Sequence, residues 1–302
     1  MSGLFGAIEA GGTKWNLGVF TADGEAIERA RIATTRPDET IGQALAFFEK
    51  RCAGTGYAAI GIASFGPIEL RPGAARWGYM LDTPKAGWAG TDIVGPFRAR
   101  LRCPAGFDTD VNGAALAEHL WGAARGCANA VYITVGTGIG GGAIIRGEPV
   151  HGFRHPEMGH VAVGRHPDDR DFPGVCPFHG DCMEGLASGP AIRARWGCSL
   201  SELAADHPGR RIIADYLGQL AIMQMALLSC ERIVFGGGVL ETPGLLDMIR
   251  AEAKRRDNGY FGYRDLAEII VPPALGERAG LMGGLALAQR ALAAQADEQR
   301  GE

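Results

Sequence analysis

The sequence predicts an α/β protein built from two related halves, on three observations. An apolar strand, a Gly/Thr turn and a second strand open the chain (LFGAIEA, AGGT, KWNLGVF), and the same arrangement returns at 130–150 in AVYITVGTGIGGGAIIRGEPV. Strand-like runs alternate with helical apolar patterns through the rest of the chain. The 302 residues are enough for two domains of ordinary size.

In chain order, LFGAIEA, KWNLGVF and AIERARIATT read as three strands with an antiparallel start, followed by a helical pattern over 39–51. YAAIGIASFGP is a buried strand ending in a Gly-Pro turn. AGFDTDVNGAALAEHLWGAA runs from strand into helix, with Asp110 or Asn112 suited to capping it. After the second Gly/Thr unit, residues 151–182 have little periodicity, and so long an irregular segment implies a function or a staple. Helical patterns return from Gly189, with a long apolar one over 210–230. RIVFGGGVL and EIIVPPA are strands, and 278–294 is a final helix. The motifs put the boundary between halves near residue 110.

Composition narrows the class. A formal charge of -4 with scattered basic residues excludes a nucleic-acid or polyanion surface. Seven cysteines spread through a long chain do not form the dense even framework of a small secreted domain. The N-terminus MSGLFGAIEAGG has no basic segment and too short an apolar run for a signal peptide. LGQLAIMQMALLSC is interrupted by Gln219 and Gln224, as in a buried helix. A cytoplasmic protein with no membrane partner is expected. Glycine stands out at 47 residues, and its clusters suggest ligand-holding turns.

GTGIGG at 136–141 fits the dinucleotide spacing, but a strand follows it where that motif needs a helix. Backbone N–H groups at a Gly-rich turn between strands instead form an anion-binding concavity, to which Thr hydroxyls add donors. Gly11, Gly12 and Thr13 make one such turn, Gly136, Thr137, Gly138 and Gly140 another, and Gly236, Gly237 and Gly238 a third. Together they favour a nucleotide held between two halves. Glu9 ends the first strand, where its carboxylate reaches a Mg²⁺ ion through water, and Lys14 extends the same logic. Transfer to a hydroxyl needs a carboxylate base, for which Asp110 is the first choice and Asp108 the second.

In CPFHGDCMEG, Cys176, His179 and Cys182 are spaced by threes, and five of the seven histidines fall between 151 and 179. His160, Cys176, His179 and Cys182 make a closed Zn²⁺ site, with His155 or His166 as substitutes for the first ligand. Five residues separate the two thiols, so they are not a redox C-x-x-C pair.

IEAGGTKWNLGVF, DTDVNGAALAE, ITVGTGIGGG, HPEMGH, CPFHGDCMEGLASGPA and RIVFGGGVL, in this order, closely resemble the ROK family of sugar kinases, and within it the bacterial fructokinases. The resemblance implies an actin-like ATPase (ribonuclease H-like) fold of two domains, with ATP and a sugar in the cleft between them. Domains are expected at 1–110, rejoined by the last helix (280–302), and at 111–279, carrying the zinc loop. It further implies Asp110 as base and Glu157, His160 and Glu184 as sugar contacts, with His160 shared between metal and sugar. Gly66, Pro67 and Thr109 join the expected substrate contacts, and Thr134 the nucleotide ones. ATP, Mg²⁺, a structural Zn²⁺ and a homodimer are implied.

This chain departs from the commonest family pattern at three places: Glu9 replaces an Asp, Thr109 an Asn, and His179 the middle cysteine. All three variants are similar to those of the fructokinase subgroup, and fructose is the expected substrate over mannose, glucose or an N-acetylhexosamine. The family's repressors carry a helix-turn-helix ahead of the kinase-like part; a first strand at Leu4 favours a kinase. A non-catalytic, zinc-stabilised binding protein would leave both glycine turns unexplained.

Overall fold

A computed structural model describes residues 3–51, 56–262 and 265–301. The chain runs through β1 (Leu4–Ala10), β2 (Lys14–Phe20), β3 (Ala26–Ala33), α1 (Pro37–Arg51), β4 (Tyr57–Ser64), α2 (Gly95–Leu101), β5 (Ala105–Thr109) and α3 (Asp110–Trp121). It continues through β6 (Asn129–Val135), β7 (Ile139–Ile145), β8 (Glu148–Pro149), α4 (Met183–Ala187), α5 (Gly189–Trp196) and α6 (Pro208–Leu228). β9 (Arg232–Gly236), α7 (Leu245–Asp257), α8 (Leu266–Ile269), β10 (Ile270–Val271) and α9 (Ala279–Gly301) complete it.

The expected duplication is present in the sheets. One runs β3-β2-β1-β4-β5 and the other β8-β7-β6-β9-β10. In each, an antiparallel three-stranded meander comes first, and two further strands join in parallel. The chain divides into two compact units. Met1–Ala117, His151–His155 and Glu277–Glu302 form the first; Glu118–Val150 and Pro156–Gly276 form the second. The division falls inside α3 rather than at residue 110, and residues 151–155 belong to the first unit with no sequence signal to mark them.

Each unit has its own core. In the first, Ile8, Trp15, Leu17, Phe48, Ile60 and Phe97 pack together; in the second, Ile133, Val135, Leu186, Tyr216, Leu220 and Phe235 do. The apolar α6 is buried along most of its length, as Gln219 and Gln224 foretold. Among the described residues no helix is long and apolar enough to cross a membrane.

Glycines outside the clustered turns serve close packing. α9 lies on β1, β4 and β5 of the first unit. A Cβ on Gly61 would fall 1.9 Å from the carbonyl oxygen of Gly284, and one on Gly106 would fall 2.2 Å from that of Leu287. Backbone meets backbone there, so no side chain can rotate away. Gly61→Val is expected to destabilise the first unit by roughly 1–3 kcal/mol, the usual cost of overpacking, and denaturant unfolding checks it.

Helix α3 differs from the expected capping. It begins at Asp110, and the cap is Thr109, whose Oγ1 accepts the Asn112 N–H at 3.1 Å. The Asn112 side chain turns to Asp108 instead, donating from Nδ2 at 2.8 Å.

Candidate active site

In the first unit the β1–β2 turn is tightly held. Gly11 N–H donates to the Lys14 carbonyl at 3.0 Å, and the Thr34 hydroxyl donates to the Gly11 carbonyl at 2.7 Å. Glu9, at the end of β1, lies against the first turn of α9, where a Cβ on Gly280 would sit 2.3 Å from its carboxyl carbon. Its Oε2 accepts the Asn16 amide at 2.7 Å, and Asn16 in turn accepts Arg31 Nε at 2.9 Å. Among the described residues Glu9 Oε1 has no hydrogen-bond donor, which leaves it for a water or a hard cation.

Gly66 and Pro67 are presented by a loop tied at three points. Leu81 N–H donates to the Pro67 carbonyl at 2.8 Å, Thr83 Oγ1 to the Gly66 carbonyl at 3.3 Å, and Ile68 N–H to His155 Nε2 at 3.4 Å. Nearby, one guanidinium edge of Arg71, Nε and Nη2, grips both carboxylate oxygens of Glu69 and holds its carboxyl at about 2, below its ordinary 4.5.

Asp108, Thr109 and Asp110 sit where β5 meets α3. Asp108 is buried, and its carboxylate is fully engaged: Oδ1 accepts Thr109 N–H at 2.7 Å and Asn112 Nδ2 at 2.8 Å, and Oδ2 meets His151 Nε2 at 2.9 Å. Asp110 is only half-buried, with Oδ1 on the Val111 N–H at 2.9 Å. Of the two acids, Asp110 is the less buried.

In the second unit the glycine turns meet at one cavity of about 500 Å³. Gly136, Thr137 and Gly238 line it, together with Gly189, Arg193, Ser199, Ser201 and Thr242, which sequence reasoning did not single out. Thr134, Gly236 and Gly237 stand behind the wall: with φ of 91° at Gly237, a Cβ there would come 2.5 Å from the Val135 carbonyl. Among the described residues Thr242 Oγ1, which is buried, has no hydrogen-bond partner, and a ligand with polar edges suits it.

Gly138 serves a different purpose from a plain phosphate turn. Glu184 Oε2 accepts the N–H of Ile139 at 2.8 Å, and a Cβ on Gly138 would lie 2.6 Å from that oxygen. Gly138→Ala is expected to push the Glu184 carboxylate aside. With Glu184 as a sugar contact, the fructose KM rises about tenfold, the equivalent of one lost hydrogen bond to a charged group, as read by steady-state kinetics.

His160, Cys176, His179 and Cys182 place one donor atom each within 4.8 Å of every other. His160 Nδ1 lies 3.8 Å from Cys176 Sγ and 3.6 Å from Cys182 Sγ, and His179 Nδ1 lies 3.6 Å from Cys176 Sγ. Sulfur and nitrogen ligands around a tetrahedral zinc sit about 3.5–3.8 Å apart, so the group fits that ion. Burial pushes the Cys182 thiol up in the absence of a cation. His155 and His166 are not alternatives: His155 serves the Ile68 N–H, and His166 Nδ1 accepts the Asp168 N–H at 3.2 Å.

The ring orientation of His160 carries a second consequence. Its Nδ1 faces the thiols, and its Nε2 is 4.0 Å from Glu184 Oε1. Gly159 and Met158 press this segment onto β7, where a Cβ on Gly159 would fall 1.9 Å from the Ile139 carbonyl. Glu157, two residues earlier in the same run, is exposed.

A polar anchor beside the cluster escaped sequence reasoning. Asp169 accepts Nε and Nη2 of Arg195 at 2.8 and 2.7 Å and the Tyr216 hydroxyl at 2.7 Å. Gln219 pairs with both the N–H and the carbonyl of Gly164. These partners come from α5 and α6, far along the chain, and only the buried Gln219 could have hinted at them.

Two sheets of matching topology, each with a Gly/Thr hairpin at its start, define the actin-like ATPase fold. The chain belongs to the ROK family, whose family model matches residues 5–291. It is similar to a fructokinase from Zymomonas mobilis, 50% identical over 289 residues, 94% of this chain and 96% of that one. Among solved structures, a ROK hexokinase from Thermus thermophilus aligns with a TM-score of 0.77 at 27% identity, covering 96% and 99% of the two chains. A ROK glucokinase from Streptomyces griseus in complex with glucose and AMPPNP aligns with a TM-score of 0.75 at 25% identity, covering 95% and 100%.

Proposed function

We propose that the chain is a fructokinase, transferring the γ-phosphoryl group of ATP to the 6-hydroxyl of fructose. The observation that carries this reading is the 50% identity to a fructokinase across nearly the whole of both chains. Asp110 accepts the hydroxyl proton as the sugar oxygen bonds to the γ-phosphorus, and the bond to the bridging oxygen breaks to release ADP. Gly11, Gly12, Thr13 and Lys14 receive phosphate from the first unit. Gly136, Thr137, Gly138 and Gly140 do so from the second, where Thr134, Gly236, Gly237 and Gly238 shape the nucleotide cavity.

Glu157, His160, Glu184, Gly66 and Pro67 contact the sugar. Thr109 joins them while capping α3: its Oγ1 accepts the Asn112 N–H, and its O–H remains a donor for the sugar. Glu9 would hold Mg²⁺, which neutralises phosphate charge when bound. Zn²⁺ at His160, Cys176, His179 and Cys182 would be structural, because four protein donors fill a tetrahedron and leave no position for water. The reading includes a cytoplasmic homodimer.

The test is ADP release with Mg²⁺ across fructose, mannose, glucose and N-acetylglucosamine. Fructose is expected to give the highest kcat/KM; a tenfold preference for another hexose overturns the substrate assignment. Metal analysis of the same preparation is expected to find one zinc per chain.

A further inference from the structure

The segment His151–His155 belongs to the first unit although the second flanks it on both sides in sequence. It places two histidines on the two elements that present substrate-facing residues in that unit. His155 takes the Ile68 N–H, beside Gly66 and Pro67, and His151 reaches Asp108. The second contact bears on the reaction.

Asp108 is 1% exposed, so its carboxylate must be satisfied by protein donors. Thr109 N–H and Asn112 Nδ2 occupy Oδ1; His151 Nε2, at 2.9 Å, is the donor to Oδ2. A carboxylate oxygen accepts, so in this contact Nε2 donates; the same nitrogen lies 3.3 Å from Asn112 Nδ2, which joins the ring to both partners of the turn. Thr109 and Asn112 bracket Asp110, and both are fixed to the same carboxylate. The Asn112 backbone is fixed as well, through its bond to Thr109 Oγ1. The turn that aims Asp110 therefore depends on a carboxylate whose second oxygen depends on His151. The side chain is 40% exposed and lines a small cavity of about 130 Å³ with Ile68, Glu69, Arg71 and Arg154. Nothing about the exposure of this ring requires a histidine for packing.

We propose that His151 is a positioning residue for phosphoryl transfer: by hydrogen bonding to Asp108 it holds the β5–α3 turn so that Asp110 is aimed at the acceptor hydroxyl. The proposal rests on the assignment of Asp110 as the base. Its effect is on orientation, so it appears in kcat and not in sugar binding. A misplacement of about 1 Å at a reacting group costs on the order of 10²-fold.

The experiment compares His151→Ala and His151→Gln with the parent protein, on whichever hexose the parent turns over best. His151→Ala is expected to lower kcat by roughly 10- to 100-fold with the sugar KM within about twofold, and to lower Tm because Asp108 Oδ2 loses its donor. His151→Gln, whose amide N–H can reach Asp108, is expected to recover most of the loss. Amide exchange at Thr109 and Asn112, measured without substrate, should rise in the Ala variant and not in the Gln variant. Full kcat in His151→Ala, or a Gln variant no better than Ala, overturns the proposal. So does a loss confined to KM, or unchanged exchange at both amides. A parent protein that ignores fructose but turns over another hexose overturns the substrate assignment alone.

Discussion

Asp110→Asn lowers turnover with fructose by roughly 10²–10⁴-fold, the range that a general base contributes, while fructose binding and Tm stay close to those of the parent protein. The structural reason for the second half is that Asn retains an oxygen at Oδ1, the atom that accepts the Val111 N–H. The helix start is therefore preserved and only the proton acceptor is lost. A coupled ADP-release assay reads the first part, and isothermal titration with fructose in the absence of ATP reads the second. Asp108 cannot take over the role: it is buried and both its oxygens are already occupied. Asp108→Asn is thus expected to act on stability and on the aim of Asp110. Near-normal turnover in Asp110→Asn would remove Asp110 as base and, with it, the mechanism proposed for this site.

Local patterns were legible in the sequence and distant pairings were not. The Cys/His group could be read because Cys176, His179 and Cys182 lie in one short hairpin, closed by paired backbone bonds between Cys176 and Gly180. The Gly/Thr turns could be read because strands bound them on both sides. By contrast, the choice between Asp108 and Asp110 depends on His151, which is 43 residues away and lies in a segment without periodicity. The use of glycine to let α9 touch β4 was hidden for a related reason. Gly61 lies in an ordinary apolar strand, and only its approach to Gly284 explains it. For Glu184 the sequence offered only its place after the last cysteine, which made it a candidate sugar contact; its bond to the Ile139 N–H, which ties it to the glycine turn, and its approach to His160 were not legible.

With zinc held by the Cys/His group as proposed, its removal is the second large expected effect. Chelation, or Cys182→Ser, is expected to raise the fructose KM by more than about tenfold, a change of about 1.4 kcal/mol, without unfolding the second unit. The ion would bind His160 through Nδ1, and that bond sets the direction of Nε2, near Glu184 Oε1. Without it the ring can turn, and Cys182, the residue just before α4, no longer holds Glu184 in place. Small zinc domains unfold without metal because the ion supplies most of their stability. Here the adjoining run is anchored independently, by Asp169 on Arg195 and Tyr216 and by Gly164 on Gln219. Hydrogen exchange separates the two parts: amides of Cys176, Gly180 and Leu186 should lose protection in the metal-free protein, and those of Gly164 and Asp169 should keep it. Thiolate ligands must lose their protons to bind, so reloading with zinc releases protons, the more so because burial holds the Cys182 thiol up when no ion is present. A metal-free protein with an unchanged fructose KM would mean that the cluster is a staple with no hold on the sugar, and that His160 and Glu184 are oriented by β7 alone.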